Sequence, residues 1–192
     1  MTDMAEAFGV FANEGRIKEL NPILKIINTQ NNLISENDLR SRRVIDPGIS
    51  YIISDILSDN TARSIAFGRN SSLEIPGYKV SVKTGTTDEK KDNWTIGYTP
   101  EFLVTVWVGN NDNTPMNPYL TSGITGAAPI WNKIMALLLK KYSTKNTWFE
   151  KPNDIVEKTC FGGKKEYFLS GTENLVNCSV PPIITISPTP TQ

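Results

Sequence analysis

Between Pro76-Gly77 and Asn110 the chain holds three strand-length runs separated only by turns. Tyr78 to Thr84, Asn93 to Tyr98 and Glu101 to Val108 are rich in β-branched and aromatic residues, with turns at Thr87–Asp92 and Thr99-Pro100. A parallel pair needs a crossover of about a dozen residues or more, so runs this close together pair as consecutive antiparallel hairpins. This meander constrains the fold most, because the remaining elements must pack against its faces.

The flanking segments supply helices. At the start, Asp3 and Glu6 have capping-box spacing, and Met4, Ala7, Phe8 and Phe11 form an apolar stripe. Asn13-Glu14-Gly15 ends that helix, with Gly15 suited to a left-handed cap. Ile23 to Ile27 reads as a strand, entered from Pro22 and followed by turn-forming residues from Asn28 to Asn32. Asp46-Pro47 starts a second helix, whose expected buried face is Ile49, Ile52, Ile53, Ile56 and Leu57. A long apolar helix spans Ala127 to Lys141 and ends on lysines, as the helix dipole prefers. The expected fold class is α+β, an antiparallel sheet with helices packed on it.

Composition changes near Ser143. Residues 143–178 are polar, with short strand-like pieces at Ile155-Val156 and Tyr167-Phe168-Leu169. Residues 179–192 form a tail carrying Pro181, Pro182, Pro188 and Pro190, expected to extend without packing. The organisation expected is therefore a domain over 1–142, a small cysteine-bearing extension over 143–178, and a flexible Pro-rich tail over 179–192.

Composition excludes several chemistries. Twenty Lys and Arg balance 20 Asp and Glu, so no charge excess points to nucleic acid as a partner. The chain has no histidine, which rules out Ser-His-Asp and Cys-His mechanisms and removes the commonest metal ligand. Acyl chemistry here would need lysine or a carboxylate as its base. The two cysteines, Cys160 and Cys178, make a poor zinc site; by spacing alone they are either a disulfide or two buried thiols that never meet. No window is apolar enough for a membrane span, and the first residues lack a signal peptide's basic and apolar regions.

One segment concentrates polar chemistry: Val80-Ser81-Val82-Lys83-Thr84-Gly85-Thr86-Thr87. Strand alternation puts Lys83 and Gly85 on one face and Thr84 and Thr86 on the other. Such an edge offers an ammonium, hydroxyls and backbone N–H groups to an anionic or carbonyl-bearing ligand. Gly85 leaves room for a substrate backbone to lie against the strand and add to the sheet. Taken alone, a K-T-G triplet also reads as an ordinary strand end with a solvated lysine.

Its surroundings are more specific. The stretch VKTGTTDEKKDNWTIGYTPEFLVTVWVGNNDNTPM, with AEAFGVFANEG before it and GITGAAPIWNKIM after it, resembles the transpeptidase domain of class A penicillin-binding proteins in order and content. The resemblance covers roughly residues 1–178 and implies the β-lactamase/transpeptidase-like fold, incomplete at the N-terminus. The family's S-x-x-K nucleophile motif is absent: no lysine has a serine three residues before it. S-x-N occurs as Ser35-Glu36-Asn37 and Ser58-Asp59-Asn60, both after the FANEG segment, whereas the family's motif precedes it. The chain therefore reads as the C-terminal part of such a domain, cut or mis-started at Met1.

The resemblance implies roles for four residues. Lys83 would be the positive wall of the cleft and assist proton transfer. Thr84 and Thr86 would hydrogen-bond the carboxylate of a D-Ala-D-Ala peptide or a β-lactam, beside Gly85. The Thr86 N–H would supply half of an oxyanion hole. The implied partners are peptidoglycan stem peptides and β-lactams, with no cofactor or metal. The implied location is outside the cytoplasmic membrane, the full-length family being anchored upstream. CFGGKKEYFLSGTENLVNC resembles the extension that follows many such domains, which implies a structural Cys160–Cys178 bridge. The rival reading is a non-enzymatic cell-wall-associated binding module. Trp94, Trp107 and Trp131 are expected to pack in the core, and Asp112 with its neighbouring asparagines to form a solvated loop, lacking the Gly and closing Glu of a calcium hand.

Overall fold

A computed structural model describes residues 1–37, 40–117, 124–143 and 148–180. The chain divides into two compact units, Met1–Glu150 and Lys151–Gln192.

The first unit is built on the expected meander. Strands β5 (Ser81–Thr86), β6 (Asp92–Tyr98) and β7 (Leu103–Gly109) form an antiparallel sheet in the order β5-β6-β7. The first strand starts later than its sequence suggests. Gly77 takes a positive φ, and the Tyr78 N–H bonds back to Ile75, so Tyr78 belongs to the turn before β5. Helix α4 (Ala127–Tyr142) lies on one face with Trp131, Met135 and Leu139 buried against Val82, Val104 and Val106. Its last turn carries Lys140 and Lys141. Gly97 permits this packing, since a Cβ there would sit 2.4 Å from the Trp131 ring and 2.9 Å from the Ser81 carbonyl oxygen.

Helix α1 (Thr2–Ala12) starts one residue before the expected cap. No capping box forms: no side chain caps the N-terminus, and Glu6 instead accepts the Leu20 N–H at 2.8 Å. Its C-terminus closes as a Schellman turn, with Gly15 N–H on Val10 O and Glu14 N–H on Phe11 O. Gly15 has φ +87°, and a Cβ there would collide with the Ile45 carbonyl oxygen at 2.1 Å.

Four short strands follow α1, only one of which was legible in advance. β1 (Arg16–Lys18) pairs with β4 (Ser41–Arg43), and β2 (Lys25–Ile27) pairs with β3 (Leu33–Glu36), all antiparallel.

Helix α2 (Pro47–Ser58) begins as expected, with the Asp46 carboxylate accepting the Gly48 N–H and Pro47 in the first turn. Its buried face differs from expectation. Gly48, Ser50, Tyr51 and Ser54 are buried, whereas Ile49 and Ile56 are exposed. Hydroxyl bonding fixes this rotation. Ser54 donates to Ser50 O and shares a 3.0 Å hydrogen bond with the Tyr98 hydroxyl, and Ser81 donates to Ser54 O at 2.7 Å. Burial pushes the Tyr98 phenol up, against the hydrogen bonds from Ser54 and Ser81. Helix α3 (Asn60–Phe67) follows directly, capped by Asp59.

Composition changes near 143, but the compact units divide after Glu150. Trp148 and Phe149 still belong to the first unit: Phe149 is buried edge-to-face on Tyr98, and the Lys79 ammonium lies 4.1 Å from the Trp148 ring centroid. The second unit is a hairpin of β8 (Ile155–Thr159) and β9 (Lys165–Leu169). Cys160 and Cys178 are joined by a disulfide, and the Phe161 N–H bonds to the Cys178 carbonyl. Across the hairpin, the Lys165 ammonium holds the Glu157 carboxyl below the usual carboxylate range. Most of the Pro-rich tail, residues 181–192, lies outside the described residues.

Candidate functional site

The K-T-G segment occupies most of β5, an edge strand whose outer side no strand pairs among the described residues. Register puts Lys83 opposite Ile96, Thr84 opposite Thr95, Gly85 opposite Trp94 and Thr86 opposite Asn93. Val82 and Gly97 face α4, so alternation places Thr84 and Thr86 on that face too. Lys83 and Gly85 share the other face with Ser81, which bonds α2. Lys83 is exposed, and its ammonium donates to the Thr84 carbonyl. A Cβ at Gly85 would meet only the Trp94 Cβ, at an ordinary 3.8 Å. The protein's own packing therefore does not require glycine at 85.

A cavity of about 220 Å³ runs beside this strand, lined by Leu57, Phe67, Leu73, Val82, Lys83 and Thr84. At its rim Arg63 donates to Leu57 O at 2.9 Å and Ser58 O at 3.3 Å, satisfying carbonyls at the end of α2. It also reaches Val82 O at 3.5 Å, next to Lys83. Burial pulls the Arg63 guanidinium down, offset by the Asp59 and Glu74 carboxylates. Arg63 was not singled out in the sequence, where it is one cation among many.

Of the S-x-N sequence Ser58-Asp59-Asn60, only Asp59 lines the cavity beside β5. Ser58 donates to Asp55 O, Asp59 caps α3, and Asn60 bonds Arg69 O and the Arg63 Nε–H. All three are engaged by the α2–α3 junction. Ser35-Glu36-Asn37 lies on and just after the exposed strand β3. Of the tryptophans, Trp131 is wholly buried as expected. Trp94 and Trp107 are only half-buried, paired across β6 and β7 at 6.5 Å on the Lys83 face. Asp112 is exposed in its loop and accepts from the Thr114 N–H and hydroxyl, which holds its carboxyl below the ordinary range.

Asn93 is the residue that sequence reasoning missed. It is fully buried opposite Thr86, and its Oδ1 accepts the Ala127 N–H at 2.9 Å, capping α4 from the sheet. The one available signal was an amide inside a strand, on a face it shares with Thr95 and Gly97. Asn93→Ala leaves that buried N–H without its acceptor, and should lower stability by about 1–3 kcal/mol. Asn93→Asp, which keeps an acceptor at a helix N-terminus, should lose less. Thermal melts read this directly, and an unchanged midpoint for Asn93→Ala would refute the capping role.

Comparison with known proteins bears on this strand and its surroundings. The family model "Penicillin binding protein transpeptidase domain" matches residues 1–136. Penicillin-binding protein 1A of Clostridium acetobutylicum is 35% identical over 171 residues, covering 89% of this chain and 19% of the relative. Penicillin-binding protein 1A of Clostridium perfringens is 32% identical over 155 residues, 80% of this chain and 21% of the relative. The chain thus spans about a fifth of the curated relatives it matches. Among solved structures, penicillin-binding protein 1A from Haemophilus influenzae superposes with TM-score 0.72 at 22% identity, over 89% of this chain and 32% of that one. An imipenem acyl-enzyme complex of penicillin-binding protein A from M. tuberculosis gives TM-score 0.54 at 24% identity, over 68% and 29%. At those identities the likeness is one of fold.

Proposed function

Because the chain belongs to the penicillin-binding protein transpeptidase domain family, we propose that it carries the K-T-G edge of a D,D-transpeptidase that cross-links peptidoglycan. The observation that carries this reading is the outer edge of β5, which no strand pairs among the described residues, with an exposed lysine, two threonines and a glycine that its own packing does not require. An extended stem peptide ending in D-Ala-D-Ala adds to this edge as a further strand, its backbone lying over Gly85. Thr84 and Thr86 take the terminal carboxylate, and Lys83 supplies the positive field that holds it. The Thr86 N–H donates to the carbonyl oxygen as it becomes an oxyanion.

The covalent step needs a serine hydroxyl. Its oxygen attacks the penultimate D-Ala carbonyl, its proton passes to the departing D-Ala amine, and an acyl-serine forms. An amine of a neighbouring stem peptide then displaces the serine and restores its proton. No serine here precedes a lysine by three residues, so the chain by itself is inactive in acylation. The site works outside the cytoplasmic membrane, on stem peptides or β-lactams and without nucleic acid, and the disulfide-bearing residues after Glu150 serve as a structural extension.

Incubating the chain with a fluorescent penicillin tests this. We expect no covalent band on a denaturing gel from the chain alone. A band should appear once a homologous N-terminal segment carrying S-x-x-K is fused, with the label on that serine. Labelling of any serine in the unfused chain would overturn the assignment. The missing S-x-x-K also favours a second reading, a wall-associated module that holds stem peptides without reacting. That reading requires saturable binding of a D-Ala-D-Ala peptide by the chain alone.

A further inference from the structure

We propose that the outward face of helix α4 docks this unit on an anionic lipid bilayer. The inward face of α4 fills the core with Trp131, Met135 and Leu139. At 3.6 residues per turn, Ile130, Ile134 and Leu137 fall together on the outer side, within an arc of about 60°. They are 47%, 41% and 59% exposed. Lys133 and Lys140 run along one flank of this strip, and Lys141 stands at its end, all three exposed.

The charge on this face has one sign. The chain as a whole is neutral, yet α4 carries three lysines and no acidic residue. Lys133 and Lys140 make no hydrogen bond or ion pair among the described residues. Lys141 lies 5.1 Å from the Tyr142 ring centroid. Carboxylates beside the helix are turned elsewhere. Glu101 accepts the Ser143 hydroxyl, and Glu74, whose carbonyl holds the Asn132 amide, offsets the Arg63 charge. Aliphatic groups and ammonium groups side by side match a surface that presents hydrocarbon beneath a layer of anionic phosphate. The aliphatic side chains enter the acyl boundary, while the lysine stems lie along it and their ammonium groups reach the headgroups. A soluble polyanion would engage the lysines alone and leave the aliphatic strip in water. Such a helix lies in the interface; no helix among the described residues is long and apolar enough to cross it.

Vesicle sedimentation of the full chain tests this. One set of vesicles mixes phosphatidylglycerol with phosphatidylcholine in equal parts, and the other is phosphatidylcholine alone. We expect saturable binding to the mixed vesicles, about tenfold or more tighter than to the neutral ones and weakened progressively by added salt. Lys133→Gln combined with Lys140→Gln should weaken it about tenfold or more, because both lost charges face the headgroups. Leu137→Ser keeps every charge and should still weaken it about threefold or more, since less apolar surface leaves water. These side chains lie outside the core, and circular dichroism melts establish that each variant is folded. Ile134→Ser stands in where Leu137→Ser does not fold. Sedimentation velocity without lipid reads self-association through the same face. The proposal is overturned by absence of binding to the mixed vesicles, by equal binding to neutral ones, or by a folded lysine variant that binds like the parent. It is overturned equally if the folded serine variant binds like the parent, which leaves charge alone at work. Self-association abolished by Leu137→Ser would assign the face to a second copy of this chain and also overturn it.

Discussion

In a domain completed by fusing a homologous N-terminal segment, Lys83→Ala should lower the rate of penicillin acylation by about two orders of magnitude or more. That is the order lost when one preorganised electrostatic contact to a developing charge is removed. The structure supports so large an effect for a side chain that contributes nothing to the core. Lys83 is exposed, its ammonium is steered by the Thr84 carbonyl, and the strand beneath it is fixed by six paired residues of β6. Lys83→Arg should recover only part of the rate, because a planar guanidinium does not occupy the space of a compact ammonium. Thr84→Val, which removes a hydroxyl at similar volume, should chiefly weaken carboxylate recognition, raising the penicillin concentration needed for half-maximal rate. Each variant is to be compared at matched folding, checked by circular dichroism. Acylation by Lys83→Ala at the parental rate would refute the K-T-G assignment.

Trp131→Ala should cost about 3–5 kcal/mol, the range for emptying a large aromatic site in a packed core. For a chain of this size that corresponds to a fall in Tm of roughly 10 °C. Trp131 is wholly buried between α4 and the sheet, and its indole N–H has no partner among the described residues. Trp131→Phe discards that N–H and keeps most of the apolar contact, so it should cost only about 1–2 kcal/mol. The contact can be approached from the other side. Gly97→Ala places a methyl 2.4 Å from the indole and 2.9 Å from a backbone oxygen, and overpacking of that kind costs about 1–3 kcal/mol. Combined with Trp131→Phe, Gly97→Ala should cost less than it does alone, since the smaller ring relieves the first clash but not the second. Strict additivity in thermal or denaturant melts would show that Gly97 and Trp131 do not share this contact.

The two effects lie on opposite faces of one sheet. Lys83 acts on the face where α2 bonds Ser81, and Trp131 fills the face where α4 packs. The second face holds the strand that presents the first. A loss of acylation in Trp131→Ala would therefore follow unfolding, whereas Lys83→Ala should lose rate with its melting midpoint unchanged.

What the chain's letters determined were the features carried by neighbours in sequence. The β5–β7 meander follows from alternation and from turns too short to permit a crossover. The start of α2 follows from Asp46-Pro47, because a cap and a fixed φ act within one turn. The K-T-G strand, its two faces and the family resemblance were legible for the same reason. Tertiary structure decided which side of each element faces inward. Five aliphatic residues pointed to the buried side of α2, yet the hydroxyls of Ser54, Ser81 and Tyr98 turned the helix otherwise. No periodicity encodes a hydrogen bond between residues 44 positions apart. The same holds for Asn93, which caps a helix 34 positions away, and for Gly15, whose missing side chain makes room for the Ile45 carbonyl. Local pattern selects the element at little conformational cost. Its orientation is set by the few buried polar groups that find partners only when distant segments meet, because leaving them unpaired costs more than turning an isoleucine toward water.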